Sequence, residues 1–471
     1  MTPTMASTVP TFRTVPDDVL RRFDVPGPRY TSYPTADRFV EAFGADDCVQ
    51  ALQQRSLGTA GRVLPLSLYV HIPFCESLCY YCACNKIITK RHERAAPYLD
   101  YLAREIELYV AQLGAGQPVS QLHLGGGSPT FLNDEELARL MALLRARFNL
   151  APGGEYAIEI DPRTVDRTRL ATLAQLGFNR LSFGVQDFDL AVQKAVHRVQ
   201  PYTQVAELVT QARALGFESL NVDLIYGLPL QTPESFQCTL AQVVELRPER
   251  IALYGYAHLP ERFKPQRRID TAALPSGPAR LAMLAAALAT FEAAGYVYIG
   301  MDHFALPTDS LAVAKRQGRL HRNFQGYSTQ PDCDLLALGV SAIGKIGPTY
   351  SQNAKTMEQY CDLLDQGQLP VVRGLALSRD DLLRRSVIMA LMCQGSLQFE
   401  SIELAWLIDF RTYFAAELES LQAFEADGLV VLEPGALHVT ATGWMLVRAV
   451  AMVFDRYLQA DRARARFSRI L

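Results

Sequence analysis

The sequence predicts an α/β protein built on an incomplete (β/α)6 barrel of TIM-like type, with an N-terminal arm and a mainly helical C-terminal domain. Three observations predict it. Short β-rich apolar runs recur at roughly 25–40-residue spacing with amphipathic helical stretches between them, the pattern of a parallel sheet. None of these runs ends in the glycine-rich turn of a dinucleotide-binding fold. Polar and special residues collect just after the runs, at the end of the strands where a β/α barrel binds its ligands.

The elements follow in order. Residues 1–65 hold the run Gly27-Pro28-Arg29-Tyr30-Thr31-Ser32-Tyr33-Pro34-Thr35, and read as an extended, turn-rich arm. The barrel domain and its extension occupy residues 66–377, and its first strand is Leu66–Phe74. Helix Ala96–Gln112 leads to strand Gln121–Leu124, which runs into Gly125-Gly126-Gly127. Helix Asp134–Phe148 leads to strand Tyr156–Ile160, followed by Asp161-Pro162. Strand Arg180–Gln186, helix Thr203–Leu215, strand Ser219–Tyr226, helix Pro233–Leu246 and strand Arg250–His258 complete six units. Residues 378–471 turn helical, with Arg379–Met392, Ser401–Leu407 and Tyr413–Ala426. A hairpin over Gly428–Thr440 turns at Pro434-Gly435, and helix Gly443–Leu458 precedes a basic tail of Arg462, Arg464, Arg466 and Arg469. Helices followed by a hairpin suggest a winged helix. Without a broad basic face it reads as a packing module over the barrel mouth, not a DNA reader.

Composition narrows the function. An apolar content of 49% supports a sizeable core. Against 49 Asp+Glu stand 46 Lys+Arg, a net charge of −3 that offers no general attraction to nucleic acid or membrane. Met1–Asp18 lacks a basic start followed by an apolar stretch, so no signal peptide is expected. The most apolar helical run, Leu281–Tyr296, is too short and too polar to span a bilayer. The expectation is a cytoplasmic protein with reduced thiols.

Four of the nine cysteines fall within ten residues, as Cys75-x3-Cys79-x2-Cys82-x-Cys84. Crowded thiolates repel, and a metal relieves that repulsion. Three cysteines at this spacing fit three corners of a cubane iron–sulfur cluster, where ordinary ferredoxin clusters take four. The open iron then binds a small molecule, which makes the site chemical. Zinc is the competing reading, with Cys84 as fourth ligand, but a C-x-C pair spreads poorly over a tetrahedron. A disulfide does not suit a chain without an export signal.

With the cysteine run and the glycine triplet read, the chain resembles the radical S-adenosylmethionine (SAM) enzymes, and within them the oxygen-independent coproporphyrinogen III oxidases. The likeness runs from about Arg29 to the tail. It is carried by GPRYTSYPTA (27–36), Tyr69–Phe74, Cys75–Lys86, GGGSPT (125–130), GMDHF (300–304) and RNFQGY (322–327).

The resemblance implies a barrel of radical SAM type in which Cys75, Cys79 and Cys82 ligate a [4Fe–4S] cluster. It implies a first SAM site at Tyr69, Gly126, Glu159 and Ile343. It implies a second SAM at Tyr81, Gly127, Ser128, Gln186, Arg198, Asp223 and Ala257. Cys84, Phe324 and Gln325 match positions needed for activity. The expected reaction is oxidative decarboxylation of two propionates of coproporphyrinogen III to vinyl groups. Arg29, Arg198, Arg322 and His303 are candidate cations for its four carboxylates. The expected partners are this substrate and a small electron-donor protein such as a flavodoxin, with no nucleic acid or membrane, and the chain is expected to be a monomer.

Blander readings stand beside each residue. A glycine triplet lets backbone approach a ligand, or only turns tightly. Glu159, Asp223 and Arg198 suit hydroxyls and a carboxylate clamp, or form rim ion pairs. Cys84 supports the second SAM pocket or radical transfer, or is a silent thiol. At the level of the whole chain the alternatives are a haem chaperone, another radical SAM enzyme on the same scaffold, and a zinc-stabilised regulator.

Overall fold

The computed structural model describes residues 25–58, 64–330 and 333–460, together with residues 19, 22, 23 and 467. The stretch Met1–Asp18 and the basic tail Arg462, Arg464, Arg466 and Arg469 lie outside the described residues.

Six strands run parallel in chain order: β1 (Leu66–Ile72), β2 (Gln117–Gly126), β3 (Phe148–Ile160), β4 (Arg180–Gln186), β5 (Ser219–Tyr226) and β6 (Arg250–Gly255). Helices Ala95–Leu113, Asp134–Arg147, Arg167–Gln175, Tyr202–Ala214 and Pro233–Leu246 connect them. Their starts are written in the sequence. Asn133 with Glu136, and Thr232 with Ser235, form reciprocal capping boxes that satisfy the first free N–H groups.

The strand alternation is the feature that makes a site. Leu66, Leu68, Val70 and Ile72 of β1, and Leu220, Val222 and Leu224 of β5, are fully buried in the main core. The intervening residues are polar and line the lumen: Tyr69 and His71, Gln121 and His123, Glu155 and Glu159, Arg180 and Ser182, Asn221 and Asp223. A barrel with a polar inner face encloses a ligand cavity, where an apolar one would be a packed core.

Six further strands extend the sheet, and the sequence reading did not include them. On the β6 edge lie β7 (Val297–Gly300) and β8 (His303–Ala305), antiparallel. On the β1 edge β9 (Asp334–Leu338) joins parallel, then β10 (Ile343–Ile346), β11 (Thr349–Asn353) and β12 (Val371–Ala376) follow antiparallel. The sheet order is β12-β11-β10-β9-β1-β2-β3-β4-β5-β6-β8-β7, and no pairing among the described residues joins its two edges, so the barrel stays open.

The N-terminal arm contains a helix, Ala45–Gly58, which the turn-rich reading missed. Cys48, Ala51 and Leu52 on its inner face join the main core. The GPRYTSYPTA run has no regular structure before Ala36, bends over residues 31–34 after a positive φ of 44° at Tyr30, and is clamped. Tyr30 and Tyr33 are fully buried among the C-terminal helices. Tyr30 donates to Asp455 (2.9 Å), and Arg448 donates to the carbonyls of Gly27 and Pro28.

The C-terminal region forms helices Arg379–Gln394, Phe399–Trp406 and Ala415–Ala426, and a three-stranded sheet that includes the hairpin Val430–Leu432/Ala436–Val439. The expected helix Gly443–Leu458 is broken into Gly443–Leu446, Val447–Met452 and Arg456–Ala460. Asp455 interrupts it, because its carboxylate accepts from the N–H groups of Tyr457 and Leu458 and starts a new segment. Among the described residues no helix is long and apolar enough to cross a membrane.

Candidate active site

A cavity of about 540 Å³ fills the lumen. Tyr69, Gly126, Glu159, Asp223, Ile343, Cys84, Phe324, Gln325 and His303 all line it, brought together from β1 to β10. Tyr81, Gly127, Ser128, Gln186, Arg198, Ala257 and the other three cysteines of the run do not line it.

The glycine triplet ends β2. Gly126 has φ +114°, and a Cβ there would sit 2.6 Å from the His71 ring. A Cβ on Gly127 would meet the carbonyl oxygen of Phe74 at 2.7 Å, so the turn is pressed onto the start of the cysteine loop. Gly127 N–H donates to Ile72 and Ser128 N–H to Phe74, both at 2.8 Å.

Glu159 receives the Gly126 N–H (3.3 Å) and faces His123 Nε2 (3.1 Å). Burial opposes its charge, but the His123 and Gly126 interactions outweigh burial and leave it below the ordinary carboxylate range. Asp223 is the reverse case. Burial and the neighbouring Glu159 charge push it up to about 6, against hydrogen bonds from Asn221 (2.8 Å) and Ser182 (3.1 Å). Tyr69 OH lies 3.0 Å from His71 Nδ1, and burial keeps that imidazole neutral by lowering its pKa. Gln325 donates to the Leu68 carbonyl (3.3 Å), which holds the RNFQGY hairpin against β1. Phe324 meets Tyr350 edge-on at 5.7 Å.

The cysteine loop follows β1. Cys79 is buried, Cys75 and Cys82 are half-buried, and Cys84 is exposed to the cavity. Arg198 Nη1 donates to the Cys79 sulfur (3.5 Å) and to Asp161 (3.2 Å), and Arg163 approaches the same sulfur at 3.8 Å. Lys86 donates to the carbonyls of Cys82 and Cys84. A hydrogen bond from Cys84, helped by Lys86, draws Cys82 well below an ordinary thiol. Burial, then Cys82 and Cys79, push Cys75 up to about 12.

Among the described residues no three His, Cys, Asp or Glu side chains converge on one metal ion. Three thiols within electrostatic reach of one another, with guanidinium groups facing one and an ammonium near another, fit an anionic cluster.

Within the second set, Tyr81 and Ala257 are joined through one side chain, and Asp223 lies in the cavity beside the first set. Gln266 donates to the carbonyls of both Tyr81 (3.0 Å) and Ala257 (3.2 Å). Gln186 takes a positive φ of 70° at the end of β4. Of the expected cations, Arg29 is paired with Asp302 (2.6 Å) and Arg198 is committed to Cys79 and Asp161. Arg322 is buried against the Tyr327 ring, and burial lowers His303 to about 3, so it is uncharged.

Residues 69–243 match the Radical SAM superfamily, and residues 377–446 match the HemN C-terminal domain. The oxygen-independent coproporphyrinogen III oxidase of Pseudomonas aeruginosa is 53% identical over 96% of this chain and 98% of its own length. The chain belongs to the oxygen-independent coproporphyrinogen III oxidase family. The Escherichia coli member is 48% identical over 96% of this chain and 98% of its own. The solved structure of coproporphyrinogen III oxidase (HemN) from Escherichia coli, a radical SAM enzyme, superposes with a TM-score of 0.88 and covers 94% of this chain and 99% of that one. Family members of this kind use SAM and a [4Fe–4S] cluster; the cysteine spacing led us to expect an iron–sulfur site, and the resemblance implied the SAM.

The sequence reading missed His71, His123, Asn85 and Asn221, all on the cavity wall. The signal was present as polar residues two apart on β1, β2 and β5, where a packed barrel would carry apolar ones.

Proposed function

We propose that this protein is the radical SAM oxidoreductase that converts coproporphyrinogen III to protoporphyrinogen IX without oxygen, in haem biosynthesis. The observation that carries the reading is the cavity, where Tyr69, Gly126, Glu159, Asp223, Ile343, Phe324 and Gln325 meet beside Cys84. Cys75, Cys79 and Cys82 hold the cluster. When bound, the cluster and SAM supply the electron transfer and the adenosyl radical that starts decarboxylation of a propionate.

The chain's own residues bind, orient and exclude. Tyr69, Gly126, Glu159 and Ile343 hold the first SAM, with Glu159 kept ionised as an acceptor for hydroxyl or ammonium groups. Tyr81, Gly127, Ser128, Gln186, Arg198, Asp223 and Ala257 hold a second SAM, and Asp223 accepts from ribose hydroxyls. Phe324 and Gln325 close the cavity from the side of the hairpin, and Cys84 faces the substrate. The electron comes from a small donor protein such as a flavodoxin. The protein works as a monomer in the cytoplasm, with an arm (residues 1–65), a barrel domain (66–377) and a helical domain (378–471).

The test is anaerobic reconstitution with iron and sulfide, then turnover with SAM, coproporphyrinogen III, reduced flavodoxin as electron donor and an added one-electron acceptor for the electron released with carbon dioxide. Protoporphyrinogen IX and 5′-deoxyadenosine are expected together. Haem transfer to a partner with no vinyl product would overturn the reading.

A further inference from the structure

The proposed reaction needs one electron at a time from a donor outside the protein, and electron transfer slows steeply with distance. The donor must therefore seat where the cysteine loop meets the surface. That loop does reach the surface: Glu76 and Ala83 are exposed, and Ser77, Leu78 and Tyr80 are half-buried. Tyr80, His197 and Arg268 do not line the cavity, so the face they build is separate from the one that takes substrate.

Three segments meet on that face. Tyr80, next to Cys79, donates its N–H to the Val196 carbonyl (3.0 Å). His197 donates through Nδ1 to the Leu78 carbonyl (2.8 Å), and its ring stacks on Tyr80 with centroids 5.1 Å apart and planes 9° apart. The Arg268 guanidinium, from the loop after β6, stands over the same tyrosine ring, 5.4 Å from its centroid. His197 also precedes Arg198, which donates to the Cys79 sulfur at 3.5 Å. Two segments of chain therefore lead from this face to that sulfur, through Tyr80 and through His197.

The charge on this face is positive, against a net −3 for the whole chain. Lys264, Arg267 and Arg268 share the short helix Lys264–Arg268, and all three are exposed. Lys194, also exposed, accepts the His197 N–H at its carbonyl (3.1 Å), which sets it beside the stacked pair. None of these four cations forms an ion pair among the described residues. The acidic residues nearby in the chain are Glu76 and Glu261, which are exposed, and Asp189 and Asp270, which are held by the N–H groups of Ala191 and Ala272. Leu190, one helical turn before Lys194, and Val199, just after Arg198, are 53% and 47% exposed and add apolar surface. A small apolar patch bordered by unpaired cations suits a brief encounter with an anionic protein, and electron-transfer contacts lie at the low end of interface size.

We propose that Lys194, Lys264, Arg267 and Arg268, around the Tyr80–His197 stack, form the docking surface for a small acidic one-electron carrier protein. The carrier's reduced flavin loses one electron, the oxidised cluster behind Tyr80 gains it, and no bond forms or breaks. This rests on the functional reading above and gives its electron donor a place to bind. Charges of this kind set the rate of encounter and its salt dependence.

The test uses the cluster-loaded enzyme, kept anaerobic, with Arg268→Glu and with Arg268→Glu combined with Lys194→Glu. The probe is flavodoxin. Calorimetry gives the Kd of its oxidised form, and stopped-flow absorbance follows cluster reduction by its reduced form, both over a range of salt concentrations. We expect the Kd to rise about tenfold or more at low salt, reduction to slow by a similar factor, and the salt dependence of both to flatten. Iron content, SAM affinity and SAM cleavage driven by dithionite, which needs no docking site, should stay within about twofold of wild type. Arg268→Lys, which keeps the charge, should behave as wild type. If the variants bind flavodoxin and are reduced by it as wild type is, the docking proposal is wrong. It is equally wrong if they lose affinity for coproporphyrin III while flavodoxin still reduces them normally, since the patch would then hold the tetrapyrrole. Wild type that cleaves SAM with dithionite but is not reduced by flavodoxin also overturns it. Wild type that cleaves no SAM with dithionite brings down the functional reading itself.

Discussion

Arg198 donates through Nη1 to the sulfur of Cys79 at 3.5 Å, which ties the segment after β4 to the cysteine loop after β1. The same guanidinium donates to the Gly184 carbonyl and to Asp161, so its position is fixed from three sides. If Cys79 ligates the cluster as proposed, a cation held this close to its sulfur favours the more negative, reduced cluster.

Arg198→Met should therefore keep the cluster but shift its midpoint potential to more negative values. SAM cleavage should fall about 10–100-fold, the usual effect of removing a partner of a metal ligand. Arg198→Lys should retain most of the potential while losing the fork to Gly184 and Asp161. An EPR-monitored redox titration checks this, and an unchanged potential in Arg198→Met would refute it.

Asp223 gives a pH dependence with a definite sign. Its pKa is raised to about 6 from an ordinary carboxylate value near 3.8. The ionised form accepts hydroxyl hydrogen bonds and the protonated form accepts them poorly. SAM binding should be level above pH 7 and weaken as pH falls through 6, about tenfold by pH 5. Asp223→Asn should bind more weakly at pH 8 and lose this slope. Equilibrium dialysis with the cluster-loaded enzyme measures both.

Glu105 makes a second pH prediction, for stability. It is fully buried on helix Ala95–Leu113 and accepts from Gly339 N–H (2.7 Å), Tyr360 OH (2.6 Å) and Asn353 (2.6 Å). Burial outweighs these three donors and pushes it up to about 7 from 4.5. The folded state thus binds this proton more tightly than the unfolded state. Its contribution is most favourable below pH 4.5 and is lost as pH rises to about 7, a change of order 3 kcal/mol. Glu105→Gln should flatten the melting temperature across that window, and because Gly339 leads into the turn before Ile343, it should also raise the KM for SAM.

Gly126→Ala should fold with a loss of about 1–3 kcal/mol from strain at positive φ. The new methyl group displaces His71 and with it the Tyr69 contact. SAM affinity should fall more than tenfold, while cluster content stays near wild type. A variant that binds SAM normally would show that the triplet only turns the chain.

Much of this was legible because parallel strands and their exits carry local signals. β4, β5 and helix Pro233–Leu246 begin and end where the apolar runs do. The six strands outside the parallel core were not legible. β8 and β10 are only three and four residues long, too short to show a period, and are held by pairing with neighbours distant in sequence. The polar lumen was written as Tyr69/His71 and Asn221/Asp223, but period-two alternation does not say which face is inside until the helices cover the apolar one. The clamp on Tyr30 could not be read at all, because its partner Asp455 lies 425 residues away.

The cysteine run yields the sharpest discrimination. Cys84 faces the cavity, whereas Cys75, Cys79 and Cys82 do not line it. A ligand of the cluster and a group facing substrate respond differently to loss of the thiol. On the proposed assignment Cys75→Ser, Cys79→Ser and Cys82→Ser each leave one iron without its thiolate, and should purify anaerobically with little or no iron and no brown colour. On the three-ligand assignment proposed above, Cys84→Ser removes no iron ligand. It should stay brown and still cleave SAM to 5′-deoxyadenosine when reduced, but form no vinyl product, since the radical is made and not used. Iron content, the visible spectrum and the ratio of 5′-deoxyadenosine to protoporphyrinogen IX decide it together. A colourless Cys84→Ser would make Cys84 a ligand, close the open iron, and leave SAM without the coordination site on which the proposed chemistry depends.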